Sequence, residues 1–122
     1  KGFVSNQIAF VYEDICREKM WRLSAEGVWD FHFSKIGRYW DSKVEIDIAA
    51  LDPDGKNLIL GECKYWTEPV GVNILKDLER KAESVTWESG RRKTNYVLFS
   101  ISGFTPELES YIATRPDVKL FR

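Results

Sequence analysis

The sequence predicts an α/β fold with a mixed central sheet, and three observations support that prediction. Helical and strand patterns follow one another in the order α-β-β-β-α-β-α-β. An Asp-Gly turn joins two consecutive strands, which indicates an antiparallel hairpin. The segment NYVLFSIS is apolar almost throughout, as expected for a strand that is covered on both faces.

The composition is typical of one domain with a packed core. The chain has 122 residues, of which 43% are hydrophobic and 30% are charged, and its formal net charge is −1. This balance excludes a globally basic nucleic-acid protein, so any nucleic-acid surface must be local. No stretch approaches the roughly 20 apolar residues of a membrane span. Cys16 and Cys63 form neither a disulfide framework nor a zinc spacing, and reduced thiols in a cytoplasmic protein are the simplest interpretation.

The first half of the chain contains one predicted helix and three predicted strands. The helix spans 5–20, with Ser5 as a candidate N-cap. Its apolar residues follow helical spacing: Ile8, Val11, Tyr12, Ile15 and Cys16. WDFHFS at 29–34 alternates between apolar and polar residues and predicts the first strand. The second and third strands are predicted at 43–51 and 57–65.

The second half returns to helical spacing and then alternates again. A helix is predicted over 70–87, followed by the apolar strand at 95–102. Thr105 and Pro106 are typical of an N-cap and a first helical position, and they predict a short helix that ends near residue 114. A last strand is predicted at 118–121.

The Asp-Gly turn at 54–55 predicts the register of the hairpin. If these two residues form the turn, the numbers of opposed residues sum to 109. Asp47 then faces Glu62, and Glu45 faces Lys64, with β-carbons about 5 Å apart. These four charges share one face among apolar neighbours. A longer loop would shift the register and turn one strand over.

Two opposed carboxylates predict a cation between them. Oxygen ligands of this kind suit Mg²⁺ or Mn²⁺, and the backbone carbonyl of Cys63 is a further candidate ligand. The ammonium of Lys64, beside a metal-bound water, can stabilise the charge that develops on a phosphoryl group. The pattern therefore indicates metal-assisted phosphodiester hydrolysis. The alternative is a solvated strand face on which Glu45 and Lys64 form an ion pair worth under about 1 kcal/mol.

The arrangement resembles the PD-(D/E)XK, or restriction-endonuclease-like, nuclease superfamily. The resemblance rests on Asp47 in the second core strand, on Glu62 and Lys64 two residues apart in the third, and on the α-β-β-β-α-β order. It implies a restriction-endonuclease-like core with a short C-terminal helix and strand added. It also implies that Asp47 and Glu62 bind metal and that Lys64 serves catalysis. Many members add an acidic residue from the first helix, for which Glu13 is the candidate here, and Glu45 is a further candidate ligand.

The interpretation of Glu13 and the match to the motif each leave a question open. Glu13 lies off the apolar stripe of the first helix, so a solvated helix charge is an alternative to a metal ligand. Ile46, rather than proline, precedes Asp47, which is a common departure in that superfamily.

A narrower resemblance covers roughly residues 3–101. FVYEDICRE, VEIDIAALDPDG and LGECKYW, followed by VGVNILKDLERKA, are similar to the C-terminal domain of unknown function found on archaeal-type ATPases. This resemblance implies that 1–122 is a single nuclease-like domain and that an N-terminal ATPase module of the same chain is missing from this sequence. The start at Lys1 instead of methionine agrees with a piece of a longer protein. The motif G-x-x-x-x-G-K-[ST] does not occur here.

Four basic residues are candidate phosphate contacts, namely Lys81, Arg91, Arg92 and Lys93. The alternative for Arg91, Arg92 and Lys93 is an ordinary solvated loop, and the alternative for Lys81 is an ion pair with Asp77, four residues earlier on the same helix.

We expect a metal-dependent nuclease domain that acts on DNA, and a homodimer is left open. The alternative is a nuclease-like module that binds DNA or a partner protein for the ATPase without cutting. A catalytic domain should expose its acidic residues in a cleft, whereas a docking module should bury them or pair them off.

Overall fold

The structure is a computed structural model that describes residues 6–87 and 91–122. Ser5, the candidate N-cap, lies outside these residues. The described elements are α1 (Asn6–Ala25), β1 (Lys35–Trp40), β2 (Glu45–Leu51), β3 (Asn57–Lys64), α2 (Val72–Ala82), β4 (Lys93–Ser100), α3 (Pro106–Tyr111) and β5 (Val118–Phe121). Their order confirms the predicted α-β-β-β-α-β-α-β sequence.

The five strands form one mixed sheet in the order β1-β2-β3-β4-β5. The pairs β1–β2 and β2–β3 are antiparallel, and the pairs β3–β4 and β4–β5 are parallel. One apolar layer, which includes Cys16 and Met20 of α1, covers one face of the sheet. A second layer, which includes Leu75 and Leu78 of α2 and Leu108 of α3, covers the other. The central strands are therefore buried on both sides, as the apolar sequence of β4 predicts.

The β2–β3 hairpin has the predicted register. Its pairs run from Ile48↔Gly61 to Leu51↔Leu58, and each pair sums to 109. The loop is longer than two residues, but the buried carboxylate of Asp52 accepts hydrogen bonds from the Lys56 amide at 3.0 Å and from Asn57 Nδ2 at 2.9 Å. Gly55 has φ of 71°, a value that favours glycine. The loop is extended equally on both sides of the Asp-Gly turn, so the pairing register of β2 and β3 is unchanged.

The predicted strand at 29–34 is wrong, and the first strand begins at Lys35 instead. Trp29 and Phe33 are buried as the alternation suggests, but they pack beneath α1, where the Phe33 ring lies 4.5 Å from the Trp21 ring. The Ser34 amide donates to the Leu51 carbonyl, which marks the point where pairing with β2 starts. The alternation thus reflects side-chain burial along an irregular connection.

Helix α1 extends further along the chain than predicted, to Ala25, and it uses a different face. Cys16 and Met20 are buried against the sheet, whereas Val11 and Ile15 of the apolar stripe are about half exposed. The helix ends before Gly27, whose φ of 84° suits the left-handed residue that commonly follows a helix. The apolar stripe therefore predicts the helix correctly but does not identify its buried side.

Helix α2 is shorter than the predicted 70–87. It ends at Ala82, after which hydrogen bonds between residues three apart form a tight turn, including the Val85 amide to the Ala82 carbonyl at 3.1 Å. In α3, the Thr105 hydroxyl accepts from the Leu108 amide at 3.1 Å and Pro106 occupies the first turn, which confirms the predicted cap. None of the helices that the structure describes has the length and apolar character needed to cross a membrane.

Candidate active site

A β-bulge in β2 determines where Asp47 lies. The β1–β2 register shifts so that Asp47 and Ile48 together oppose the single residue Arg38. Because of this extra residue, Ile46 packs in the layer under α2, whereas Ile48 packs in the layer under α1. Asp47 therefore lies where the regular alternation of β2 side chains between the two faces of the sheet is interrupted. Its Oδ2 accepts a hydrogen bond from the Cys63 amide of β3 at 2.9 Å.

Glu62 lies beside Asp47 on the neighbouring strand and is almost fully buried, with 4% of its surface exposed. Alternation along β3 places it on the α2 side of the sheet. Two ammonium groups approach its carboxylate. Lys64 Nζ is 3.6 Å from Oε1, and Lys81 Nζ, which comes from α2, is 3.4 Å from Oε2. Lys64 thus lies on the same face of β3 as Glu62, as strand alternation predicts.

The two carboxyl groups influence each other's charge. Burial, and next the charge of Asp47, raise the pKa of Glu62 to about 7, although Lys64 and Lys81 act in the opposite direction. A side-chain hydrogen bond with Asp47 also raises this pKa. Near neutral pH Glu62 therefore retains its proton for part of the time, because burial and the neighbouring negative charge both disfavour its ionised form.

Glu13 of α1 approaches the same place from the other face. Its Oε1 is buried and receives no hydrogen bond from the described residues, although Arg38 Nε lies at 3.7 Å and Arg17 Nη1 at 3.8 Å. Burial, and next the charge of Asp47, raise the pKa of Glu13. The side chain therefore faces the acidic pair, even though Glu13 lies off the apolar stripe.

Glu45 and Cys63 occupy the edges of the site. Glu45 is exposed and pairs with Arg38, whose Nη2 lies 3.1 Å from its Oε1. The predicted pairing of Glu45 with Lys64 is wrong, because the bulge places Ile46 rather than Glu45 on the face of the sheet that carries Lys64, and Lys64 pairs with Glu62 instead. The thiol of Cys63 points into the core, where it forms a hydrogen bond with the thiol of Cys16. Cys63 is thus a buried core residue, as its alternation predicts, and its backbone is what lies next to Asp47.

The four candidate phosphate contacts lie in two separate places. Lys81 is at the acidic site. Arg91, Arg92 and Lys93 precede or begin β4, whose first residue pairs with the first residue of β3. Lys64 is seven residues further along β3, which corresponds to about 23 Å.

Arg92 has a structural contact that the sequence does not reveal. Its Nη1 donates to the carbonyl oxygens of Val85, at 2.8 Å, and of Trp87. Its Nη2 donates to the carbonyl of Ala82 at 3.4 Å, and burial lowers its pKa. This guanidinium therefore ties the turn after α2 to the start of β4.

The acidic side chains fit a divalent cation as a partial site. Among residues 6–87 and 91–122, no three His, Cys, Asp or Glu side chains are grouped so that they can hold a metal ion. Two carboxylates, Asp47 and Glu62, do meet, and the buried Glu13 Oε1 lacks a hydrogen-bond donor. Hard oxygen ligands suit Mg²⁺ or Mn²⁺, which retain several waters and need only one or two carboxylates. The residues therefore fit such an ion as a partial protein site completed by water.

Sequence reasoning missed three residues that shape this site. Arg17 lies one helical turn after Glu13, and this spacing was available in the sequence. Arg38 was hidden because the first strand was placed at 29–34 rather than at Lys35–Trp40. Trp66 lies with its ring centroid 5.0 Å from Lys64 Nζ, a cation–π contact that only the fold after β3 reveals.

The order of elements, the mixed sheet and the position of the acidic pair define an α/β domain with a restriction-endonuclease-like core. The chain belongs to the DUF234 family, described as archaea bacterial proteins of unknown function, whose model matches residues 2–85. It is also 32% identical over 88 residues to an uncharacterized protein of Methanocaldococcus jannaschii. That match covers 70% of this chain and 20% of the relative, so the chain spans about a fifth of the relative's length.

Two solved structures share the fold. A repair endonuclease from Pyrococcus abyssi matches with a TM-score of 0.56 and 13% identity, over 100% of this chain and 48% of the other. EndoMS in a complex with double-stranded DNA matches with a TM-score of 0.52 and 14% identity, over 98% of this chain and 46% of the other. At such identities the similarity is one of fold.

Proposed function

We propose that the domain is a metal-dependent DNA nuclease that hydrolyses phosphodiester bonds. The observation that carries the proposal is the meeting of Asp47 and Glu62 on adjacent strands, with the Lys64 ammonium 3.6 Å from Glu62. Support also comes from the fold, which resembles that of a repair endonuclease and that of EndoMS bound to double-stranded DNA.

In this proposal, Asp47 and Glu62 hold Mg²⁺ or Mn²⁺, with the Cys63 carbonyl as a further ligand. Glu13 becomes a ligand only after its side chain moves, because no three His, Cys, Asp or Glu side chains are grouped to hold a metal ion among the described residues. Glu45 is the weakest candidate, because it is exposed and paired with Arg38. When bound, the ion supplies a Lewis acid that makes hydroxide available at neutral pH and offsets the charge of the scissile phosphate.

Lys64 provides a positive charge that stays at the reacting phosphate. Its ammonium is positioned from two sides, by Glu62 at 3.6 Å and by the Trp66 ring at 5.0 Å. A cation fixed in this way stabilises negative charge as it develops, without a reorganisation of the site during the reaction.

DNA binding requires contacts beyond the reacting phosphate. Lys81 is the candidate at the site itself, whereas Arg91 and Lys93 lie at the far end of β3, about 23 Å along the strand. The guanidinium of Arg92 already binds backbone carbonyls, so its contribution to phosphate binding should be the smallest of the four.

The rival proposal is a nuclease-like module that binds DNA or a partner protein without cutting, in the service of an ATPase module of the same chain. One observation favours it: Glu62 is buried, and both of its oxygens face lysine ammonium groups. The greater length of the Methanocaldococcus jannaschii relative is compatible with additional modules.

Calorimetry with Mg²⁺ and Mn²⁺, together with plasmid nicking on the same samples, tests the proposal. The informative variant is Asp47→Asn, because an amide oxygen can still accept the Cys63 hydrogen bond while the negative charge is removed. Glu107→Gln, an exposed carboxylate in α3, is the matched control. We expect wild type and the control to bind metal and nick DNA, and Asp47→Asn to lose both.

The other outcomes separate the two candidate functions. Metal binding without nicking, in the full-length protein and on several DNA forms, favours the module that does not cut. An absence of metal binding at millimolar concentration, with DNA present, overturns the nuclease proposal.

A further inference from the structure

The carboxylate of Glu62 is shared by two lysines that differ in their surroundings. Lys64 belongs to the same strand, and its ammonium also contacts the Trp66 ring at 5.0 Å. Lys81 reaches Glu62 from α2, and its ammonium lies 3.7 Å from Asp77 Oδ2 as well as 3.4 Å from Glu62 Oε2. Lys81 therefore has a second carboxylate within reach, located one helical turn earlier.

The two carboxylates that Lys81 can reach differ in their exposure to solvent. Glu62 has 5% of its side chain exposed, whereas Asp77 has 46% exposed. A lysine that exchanges Glu62 for Asp77 thus moves its charge from the interior to the rim of the site. The movement is a change of side-chain rotamer, since both contacts are made from the same helical position.

A divalent ion and two ammonium groups cannot all occupy one carboxylate. A metal bound to Glu62 lies about 2 Å from an oxygen, and the ammonium on that oxygen would then experience strong repulsion between like charges. One ammonium must leave. The Lys64 ammonium is confined by its own strand and by Trp66, whereas Lys81 has Asp77 as an alternative partner.

We propose that Lys81 is an internal competitor of the metal ion: it neutralises Glu62 in the metal-free protein and is displaced by the metal to bind a substrate phosphate. This inference rests on the proposed function of the site. Lys81 therefore acts as a positioning residue that couples the two binding events. The released ammonium is a compact charge on a flexible stem, and a phosphodiester is the polyanion that such a charge recognises.

Cations of the protein also offset the charge of Glu13. Its buried Oε1 lies 3.7 Å from Arg38 and 3.8 Å from Arg17, and neither contact is a hydrogen bond. Protein cations at a distance thus offset the charge of this carboxylate without occupying its lone pairs. The buried pairing of Glu62, which favours the rival module when considered alone, is then the resting state of a metal site.

The test compares Lys81→Gln with Lys76→Gln. Lys76 lies on α2 as well, is exposed, and its ammonium contacts the Tyr111 ring, 5.4 Å from the ring centroid. Both variants remove one positive charge from the same helix, but only Lys81→Gln removes a contact with Glu62. Any general electrostatic effect on metal affinity should therefore appear in both variants, and the specific effect in one.

Two measurements should move in opposite directions in Lys81→Gln. Calorimetry should show Mg²⁺ and Mn²⁺ binding about tenfold more tightly than in wild type, the equivalent of about 1.4 kcal/mol. Fluorescence anisotropy with a labelled phosphorothioate duplex should show about tenfold weaker binding in Mg²⁺ but an unchanged affinity in EDTA. The slope of log K against log salt in Mg²⁺ should also decrease by about 0.9.

Each outcome has a distinct meaning. If wild type binds metal and Lys81→Gln binds it no more tightly than Lys76→Gln does, the inference is overturned and the proposed function stands. If wild type binds no metal, the proposed function fails and the inference fails with it. If Lys81→Gln does not fold, Asp77→Asn provides the second test: it removes the alternative partner of Lys81 and should weaken metal binding, and an unchanged affinity overturns the inference.

Discussion

Replacing Glu62 with glutamine should stabilise the metal-free protein above neutral pH. Burial and the neighbouring Asp47 raise the pKa of Glu62 from 4.5 to about 7. The folded state therefore binds this proton more tightly than the unfolded state does, and the free energy of unfolding decreases as the pH rises through this window. At 1.36 kcal/mol for each pH unit, the loss is about 3 kcal/mol by pH 8.

A glutamine side chain resembles the protonated glutamic acid and cannot ionise, so the Glu62→Gln variant avoids this loss. Urea denaturation in EDTA should show Glu62→Gln close to wild type at pH 5 and more stable by about 2–3 kcal/mol at pH 8. The difference between the two proteins isolates Glu62 from every other group that titrates in this range. Added Mg²⁺ at pH 8 should stabilise wild type more than the variant, because the amide of glutamine lacks the negative charge that strengthens ion binding.

A control and a contradicting result are both available. Glu107→Gln removes an exposed carboxylate from α3 and should leave the stability difference between pH 5 and pH 8 as in wild type. The reasoning is refuted if Glu62→Gln is destabilised equally at both pH values. That result would mean that the ion pairs with Lys64 and Lys81 outweigh the cost of burying the charge.

Two further variants test the framework of the site. A Cβ at Gly61 would lie 2.5 Å from Val97 Cγ1 and 2.8 Å from the Val97 carbonyl oxygen, so Gly61→Ala should force β3 and β4 apart. We expect a loss of about 1–3 kcal/mol in urea denaturation, and wild-type stability would show that the strands can adjust. Asp52→Ala removes the acceptor for Lys56 and Asn57 in the hairpin loop and should cost about 1–3 kcal/mol at pH 7. Burial raises the pKa of Asp52, but the hydrogen bonds lower it by more, so the pKa lies below its ordinary value. The stabilisation by Asp52 is therefore present above the ordinary pKa and should disappear as the pH falls through the lowered pKa. A stability loss in Asp52→Ala that persists at pH 2 would contradict this reasoning.

The hairpin shows how far local patterns can predict a site. The Asp-Gly turn and the β2–β3 sequences gave a register that the structure confirms at Ile48↔Gly61 and at the three following pairs. That register was sufficient to bring Asp47 close to Glu62. Lys64 followed from strand alternation alone, since it lies two residues after Glu62 on the same face.

The bulge in β2 could not be predicted from the same patterns. Ile46, Asp47 and Ile48 alternate like a regular strand, so the sequence assigns both isoleucines to one face. The structure places them in opposite layers. Whether a strand is regular or contains a bulge depends on how it pairs with the neighbouring strand. The neighbour here is β1, which the sequence places wrongly because the buried aromatic residues at 29–34 mimic strand alternation.

The contacts of Lys81 and Arg92 depend on tertiary structure for a similar reason. Both are basic residues in or near the turn after α2, and the sequence presents them as similar candidates for phosphate contact. The fold directs Lys81 to Glu62 and Arg92 to the carbonyls of Val85 and Trp87. Long flexible side chains take their partners from whatever lies within reach, which spacing along the chain does not specify.

The bulge also has an evolutionary consequence. Because of the bulge at Asp47, Ile46 packs in the core layer under α2 and Ile48 packs in the layer under α1, so the strand is anchored on both faces of the sheet. The carboxylate of Asp47 belongs to neither core layer. An asparagine in its place could still accept the Cys63 amide. A single nucleotide change could therefore remove the negative charge and leave the domain folded. Under the proposed function, a lineage of this family could exchange cutting for binding in one step, and the residue at this position is the one to compare when that proposal is tested across the family.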